Sequence, residues 1–461
     1  MRWHSLHVHH HDERAEPALI LDAVRPAFGA VRPWVAGAWF GRHWLRGPHL
    51  RLNFRCGEAE WEERVRPEVA SRLGAYLRAH PSTVVLDEAE SAPVHERLAE
   101  LEMERGTLSP WVPDNTVREQ PYDHRLQVLG SRRASELLAD FLSDTNEAAF
   151  RAYAHLRSGG SLPVLALDLM WATASAAAVP FAGGGAPIAR GFLSLRSHAD
   201  AFLSRTQDPA GYRATFDAKF RRQADALAAR LRAVEAAVAV AVAEAVPGPP
   251  SDGGGPASGD QLVLGDELTF GDEPASGDQL PSGGELASGG ELASGGELAF
   301  VREWSEAVRR HQRIALPLLA SGEVSMDGAA RAPRMPTRQL SEFHRLLQSD
   351  HGHQDFIRTD DWFASFRLVM NYLYLHLGRL GLGPADRGLL CHLAANTVEE
   401  VHGLSAVESF RHHVMGGNPA AGPGTPGTEP EWRRIGDEWA GAGRAGAEWE
   451  ETGRAGGGGG A

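Results

Sequence analysis

Cysteine is nearly absent: Cys56 and Cys391 are the only two in a chain of 461 residues. Two isolated thiols supply neither a disulfide framework nor a zinc-finger ligand set, and they fit a reducing compartment. Long apolar runs are lacking as well. No stretch of about 18 uninterrupted apolar residues occurs, and the opening MRWHSLHVHHHDE has no apolar signal core. Ala172 to Pro180 is apolar but short and alanine-rich, which reads as a buried helix end. Positive charge is not in excess: the formal net charge is −14. That argues against global attraction to nucleic acid, while leaving room for a local basic cleft. Together these absences predict a soluble, cytoplasmic protein with no membrane span and no stable nucleic-acid partner.

Glycine and proline, by contrast, are plentiful, at 52 and 28 residues, and they concentrate in two regions. Over 247–298 a six-residue motif recurs, with three consecutive copies of SGGELA from Ser282 to Ala299. Such a repeat cannot bury a core, so it predicts an acidic flexible linker. From 416 to 461 the composition predicts a disordered Gly-rich tail. The roughly 360 residues that remain are ample for a large core. They predict one domain over 1–246 and 299–415, interrupted by the linker.

The densest chemistry lies in Trp39 to Arg55, WFGRHWLRGPHLRLNFR. It reads as two short strands joined by a turn at Gly47-Pro48. In the second strand Leu50, Leu52, Phe54 and Cys56 alternate with His49, Arg51, Asn53 and Arg55. A period of two sends these sets to opposite faces, one toward a core and one presenting a cationic row. Arg42, His43 and Arg46 precede the turn. Arginine offers a fixed fork of donors matched to carboxylate or phosphate, so an anionic group is one natural partner. An exposed strand face ion-paired to the chain's own acids has the same pattern. Trp3 to His11 also alternates as a strand, with Ser5, His7, His9 and His11 on one side. Three histidines on a strand face could ligate a metal, but no carboxylate or cysteine stands at a diagnostic spacing, and no metal is expected.

Helices are predicted over Ala18 to Phe28 despite Pro26, over Glu58 to Arg78, and over Pro93 to Glu104. Leu108 to Leu129 carries three prolines and many polar residues and reads as a long loop. Its chemistry-bearing members are Asp114, Asn115, Arg118, Glu119, Tyr122, Asp123, His124 and Arg125. They suit acid–base work, or equally a loop pinned by ion pairs. Helical spacing then dominates from Ser131 to Val246 with a break at Gly184-Gly185, and it resumes at Phe300. A helix over Trp362 to Leu382 stops at Gly381-Leu382-Gly383-Pro384. The predicted fold is α+β: a small N-terminal antiparallel sheet packed on a large, mostly helical body.

A strand opening with Trp3, a helix, the block RHWLRGPHLRLNF, the loop PWVPDNTVREQPYDHR and the late helices FRLVMNYLYLHLGRLGLGPADRGLLCHLAANTVEE resemble, in that order, the lantibiotic dehydratase C-terminal family. The resemblance spans roughly residues 1 to 415. It implies a maturation enzyme for a ribosomally made lanthipeptide or thiopeptide, acting on a precursor peptide of leader plus core. It also implies that a separate glutamylating dehydratase subunit supplies the preceding step, and that no cofactor is needed. Glutamate elimination from glutamylated Ser or Thr is the leading expectation. A base takes the α-proton while cationic groups stabilise an enolate and a leaving carboxylate. On that reading Arg51, His49, His43 and Arg42 are catalytic. Arg46, Asn53, Arg55, Arg118, Tyr122, His124 and Arg125 bind substrate. Asn53 stands where elimination domains carry a second arginine, and the late helix reads Val369-Met370-Asn371 where many members have a His-Met pair. These departures favour the alternative of a pyridine synthase, which joins two dehydroalanines by cycloaddition with loss of the leader. Tyr122, His124, Tyr372 and Tyr374 are candidates to assist it. A non-catalytic leader-binding scaffold and a metal hydrolase built on His7, His9 and His11 are the remaining readings.

Overall fold

The computed structural model describes residues 1–178, 191–244, 298–326, 340–349 and 359–410, apart from 105 and 404. The predicted tail, the break at Gly184-Gly185 and the predicted linker up to 297 lie outside the described residues, while Leu298, the last residue assigned to the linker, already belongs to a helix. Four strands form one antiparallel sheet: β1 (Arg2–His9), β2 (Gly37–His43), β3 (His49–Cys56) and β4 (Thr116–Gln120), in the order β2-β3-β1-β4. The register pairs Leu6 with Leu52 and Val8 with Leu50 on β1 and β3, and Phe40 with Leu52 on β2 and β3. The even-numbered residues therefore share one face, and Leu6, Val8, Phe40, Leu50, Leu52 and Phe54 on it are all buried. The predicted alternation holds.

That face packs on helices. α1 (Glu16–Leu19) runs through a π turn at Ile20–Val24 into α2 (Arg25–Val31). After β3, α3 (Glu58–Glu60) runs through a second π turn at Trp61–Val65 into α4 (Arg66–Ala79). Each π turn immediately precedes a proline at the second position of the next helix, Pro26 and Pro67. A proline ring would strike the carbonyl four residues earlier, here Asp22 or Glu63, and the wider turn removes the clash. This is why the helix survives Pro26. Its Phe28 then meets Phe54 at 4.8 Å and Phe150 at 5.6 Å.

α5 (Glu88–Leu101) begins five residues before the predicted start at Pro93, because Asp87 caps it by accepting from the Ala89 and Glu90 N–H groups. The stretch expected to be a long loop, Leu108 to Leu129, contains β4 and the short α6 (Leu126–Leu129). Thr116–Gln120 lacks apolar alternation, so only its pairing with β1 makes it a strand. β1 itself ends at His9, and the His11 N–H turns away to donate to Asp114.

The helical body comprises α7 (Arg132–Asp144), α8 (Asn146–Arg157), α9 (Leu162–Ala177), α10 (Phe192–Arg205), α11 (Pro209–Glu244), α12 (Leu298–Ala320), α13 (Glu342–Ser349), α14 (Asp361–Arg379) and α15 (Pro384–His402). α9 is buried at every position from Val164 to Ala177. A helix apolar all round belongs at the centre, and α11, α12, α14 and α15 surround it. Sheet and body meet at β2. The Ala38 and Phe40 N–H groups donate to Ser143 Oγ and Asn146 Oδ1 of α7 and α8. Those bonds seal the β2 edge of the sheet. Among the described residues no helix is long and apolar enough to cross a membrane.

Candidate active site

The second face of the sheet carries Trp3, Ser5, His7 and His9 of β1, Trp39 and His43 of β2, and His49, Arg51, Asn53 and Arg55 of β3, as the register requires. Instead of facing solvent as a cationic row, most of it is covered. Asn53 is 2% exposed and His49 6%. The cover is the chain after β4, which brings Tyr122, Asp123, His124 and Arg125 over the sheet. Arg51 Nη1 donates to Asp123 Oδ2 at 3.1 Å. Arg125, in left-handed backbone geometry at φ 47°, turns its own N–H onto Asp123 Oδ1 at 2.8 Å. Its guanidinium donates to Glu102 at 2.9 Å, and Glu102 also accepts from the Trp44 indole at 3.0 Å. Burial raises the Asp123 carboxyl, but the Arg125 N–H and the Arg51 and Arg125 guanidiniums outweigh it and hold it below the usual carboxylate range.

Beneath this cover three imidazoles gather around that of His49. His7 stacks on it at 4.6 Å, His9 lies tilted at 4.6 Å, and His43 stands at 5.5 Å. Ring faces converge rather than nitrogen lone pairs. Among the described residues no three His, Cys, Asp or Glu side chains form a group that could hold a metal ion. Burial, reinforced by Arg51 and His9, lowers His7 to about 3. Burial and His11 lower His9 to about 4. His43 and His49 are held well below the ordinary imidazole value, first by burial, then by Arg51 for His43 and by His7 for His49.

Hydrogen bonds give His43 and His49 opposite tautomers. The Leu45 N–H donates to His43 Nδ1 at 3.1 Å, so the proton of His43 sits on Nε2. His49 Nδ1 lies 2.8 Å from the Gly47 carbonyl, which can only accept, so the proton of His49 sits on Nδ1. His49 Nε2 is then a buried lone pair without a protein partner. One imidazole is set to give a proton and its neighbour to take one.

Of the other predicted residues, Asn53 accepts from Ser5 Oγ at 2.8 Å. Arg55 pairs with Asp140 at 2.8 Å and lies over the Trp3 ring. Tyr122 stacks on Trp3 at 5.4 Å, meets Trp39 edge-on and touches His124, whose Nδ1 is 3.0 Å from Ser135 Oγ. Arg118, opposite His7 on β4, is exposed. Arg46 stands at the turn, donating to the Pro110 carbonyl. Arg42 is not brought to this face. One residue before His43, it points through the sheet to the helical side and pairs with Glu16 at 2.9 Å. Tyr372 and Tyr374 lie in the helical body, the first against Phe141 and the second beside His198. Sequence reasoning missed Glu102 and Trp44. Nothing local marks them, because they join the site only where α5 and its end meet the turn after β2.

The family model for the lantibiotic biosynthesis dehydratase C-terminal domain matches residues 3–398. The chain belongs to that family. Among solved structures, this member of the family is similar to the pyridine synthase TbtD from thiomuracin biosynthesis, with 33% identity and a TM-score of 0.60, covering 88% of this chain and 100% of that one. It shares its fold with TsrL, at 19% identity and a TM-score of 0.57, covering 89% of this chain and 98% of that one. No curated protein matches it. Family membership makes the chain a component of thiopeptide or lanthipeptide maturation.

Proposed function

We propose that this chain closes a pyridine ring in a ribosomally made precursor peptide by joining two dehydroalanines. The reaction begins with tautomerisation of a backbone amide to its iminol: a proton goes onto the carbonyl oxygen and one leaves the amide nitrogen. The resulting C=C–N=C unit forms two carbon–carbon bonds with the second dehydroalanine. Loss of water, then of the leader as its carboxamide, leaves the aromatic ring with no net oxidation or reduction. The observation that carries the reading is the pair of opposite tautomers. His43 Nε2–H can hydrogen-bond the oxygen while the free His49 Nε2 takes the nitrogen's proton and passes it to that oxygen, which returns both imidazoles to their neutral forms. Arg51 stabilises charge on that oxygen, and the exposed Arg118 offers a cation to the peptide's acidic groups. Movement of the Asp123–Arg125 cover admits the substrate.

Two further points support this chemistry over glutamate elimination. Asn53, bonded to Ser5, fills the position where a second guanidinium would receive the departing carboxylate. The likeness to the pyridine synthase TbtD runs the full length of that chain. The test is mass spectrometry of precursor peptide incubated with the protein, supplied either glutamylated or fully dehydrated. Release of a leader carboxamide together with a ring-closed core from the dehydrated peptide is the expected outcome. Loss of glutamate from the glutamylated one would replace this reading with elimination, and no change in either would leave a leader-binding scaffold.

A further inference from the structure

Further along the polar face from the imidazoles, Asn53 is 2% exposed and is held from one side. Ser5, its direct partner on β1, donates from Oγ to Asn53 Oδ1 at 2.8 Å and leaves the amide nitrogen as the free end. Among the described residues Asn53 Nδ2 meets no acceptor. Neither does Arg51 Nε, two residues back, nor the indole N–H of Trp3. The register sets Trp3 opposite Arg55, so these donors stand on consecutive rows of one face.

A buried donor left unmade is unfavourable and asks for a partner. The cations here do not ask for an anion, because Arg51 is already paired with Asp123 and Arg55 with Asp140. What the patch lacks is a neutral acceptor. Water matches it poorly, since it brings two hydrogens of its own to a place already rich in them. A peptide carbonyl brings lone pairs and no hydrogen. The surroundings are flat: Tyr122 stacks on Trp3 at 5.4 Å and meets Trp39 edge-on. Once the cover lifts, the rings of Trp3 and Trp39 flank the donors and suit the plane of an amide. The strand fixes the distance to the imidazoles. Asn53 lies four residues from His49 on β3, about 13 Å at the rise of a strand. An extended peptide covers that length in about four residues.

We propose that Asn53, with Trp3 and Arg51, binds a backbone carbonyl of the precursor peptide about four residues from the amide that reacts over His43 and His49. This rests on the assignment of that amide to the two imidazoles, though not on the ring it goes on to form. Asn53 holds the peptide in register and acts on binding rather than on the chemical step. The full-length protein is titrated with precursor peptide carrying alanine at its ring-forming serines, which binds without reacting. The Trp3 indole N–H is followed by ¹H–¹⁵N NMR and assigned with Trp3→Phe; it should move downfield as its hydrogen bond forms. Asn53→Leu, of similar size and without a donor, should weaken the inert peptide about fivefold, the scale of one neutral hydrogen bond. It should raise KM for the dehydrated peptide by a similar factor, with kcat within about twofold. Trp3→Phe keeps the stacked ring and removes only the N–H; it should weaken binding too, and it carries the test where Asn53→Leu does not fold. Trimming the peptide to about three residues on either side of the reacting positions should erase the difference between Asn53→Leu and the natural protein. The proposal is overturned if both variants bind the inert peptide as tightly as the natural protein, if the Trp3 resonance stays in place at saturation, or if the trimmed peptide still tells Asn53→Leu apart. Glutamate elimination in place of ring closure, with the Asn53→Leu loss of binding intact, would overturn the cyclisation and leave this subsite standing.

Discussion

Arg51 holds the cover over the imidazoles and faces the reacting oxygen in the proposed chemistry, with its side chain 13% exposed. Arg51→Ala should therefore lower turnover by about 100-fold or more, the scale of a lost charge-stabilising donor, while the far-ultraviolet circular dichroism stays unchanged. Undiminished turnover would make the Arg51–Asp123 pair a purely structural clasp. The histidines beside it give a pH signature. In an unfolded chain they protonate near 6.5, whereas folded His9 and His7 protonate only at about 4 and about 3. Between those values the unfolded state binds more protons. The stability they confer is complete above pH 6.5 and falls as pH drops toward 4, then 3, by roughly 1.4 kcal/mol per pH unit for each histidine. Urea midpoints from pH 7.5 down to 5 should show the decline, and His9→Asn should flatten it. A variant with the natural slope would assign the acid sensitivity to other groups.

Elements are joined here by polar bonds inside an apolar body. Asp168 on α9 and Arg230 on α11 are 0% and 2% exposed, and Arg230 Nε donates to Asp168 Oδ1 at 2.8 Å, with a second bond from Nη2 to Oδ2. Removing one charge of such a pair strands the other. Asp168→Asn should cost roughly 3–5 kcal/mol, read as a lower denaturant midpoint with unaltered m-value. A loss below about 1 kcal/mol would mean that other partners of Arg230 suffice. The strand face of Leu50, Leu52, Phe54 and Cys56 was legible from its period alone. The membership of β4 was not, because an edge strand half out in solvent needs no apolar alternation and is defined by its neighbour. The start of α5 was hidden for a different reason: Pro93 resembles a helix opening, while the operative cap is Asp87.

Across the whole molecule, helices from before and after the SGGELA repeats share one core. α12 packs on both α9 and α11, and Val301, Trp304 and Val308 join the buried cluster that contains Val164 and Leu165. The repeats themselves contain one leucine in six residues. Deleting two copies, Ser282 to Ala293, should leave the melting temperature and the cooperativity of unfolding unchanged. A drop of several degrees would show that the repeats supply core after all.

The class of fold, the helical body and the cationic strand were legible along the chain, because periodicity and turn residues act locally and leave their trace in short windows. Arg42, one position from His43, was already committed to the opposite face by the two-residue period. What the tertiary structure alone decided is that the polar face is roofed, that Glu102 and Trp44 help hold the roof, and that His43 and His49 carry their protons on different nitrogens. Each depends on groups distant in the chain or on backbone atoms of a turn, and burial then shifts proton affinities in ways no local pattern encodes.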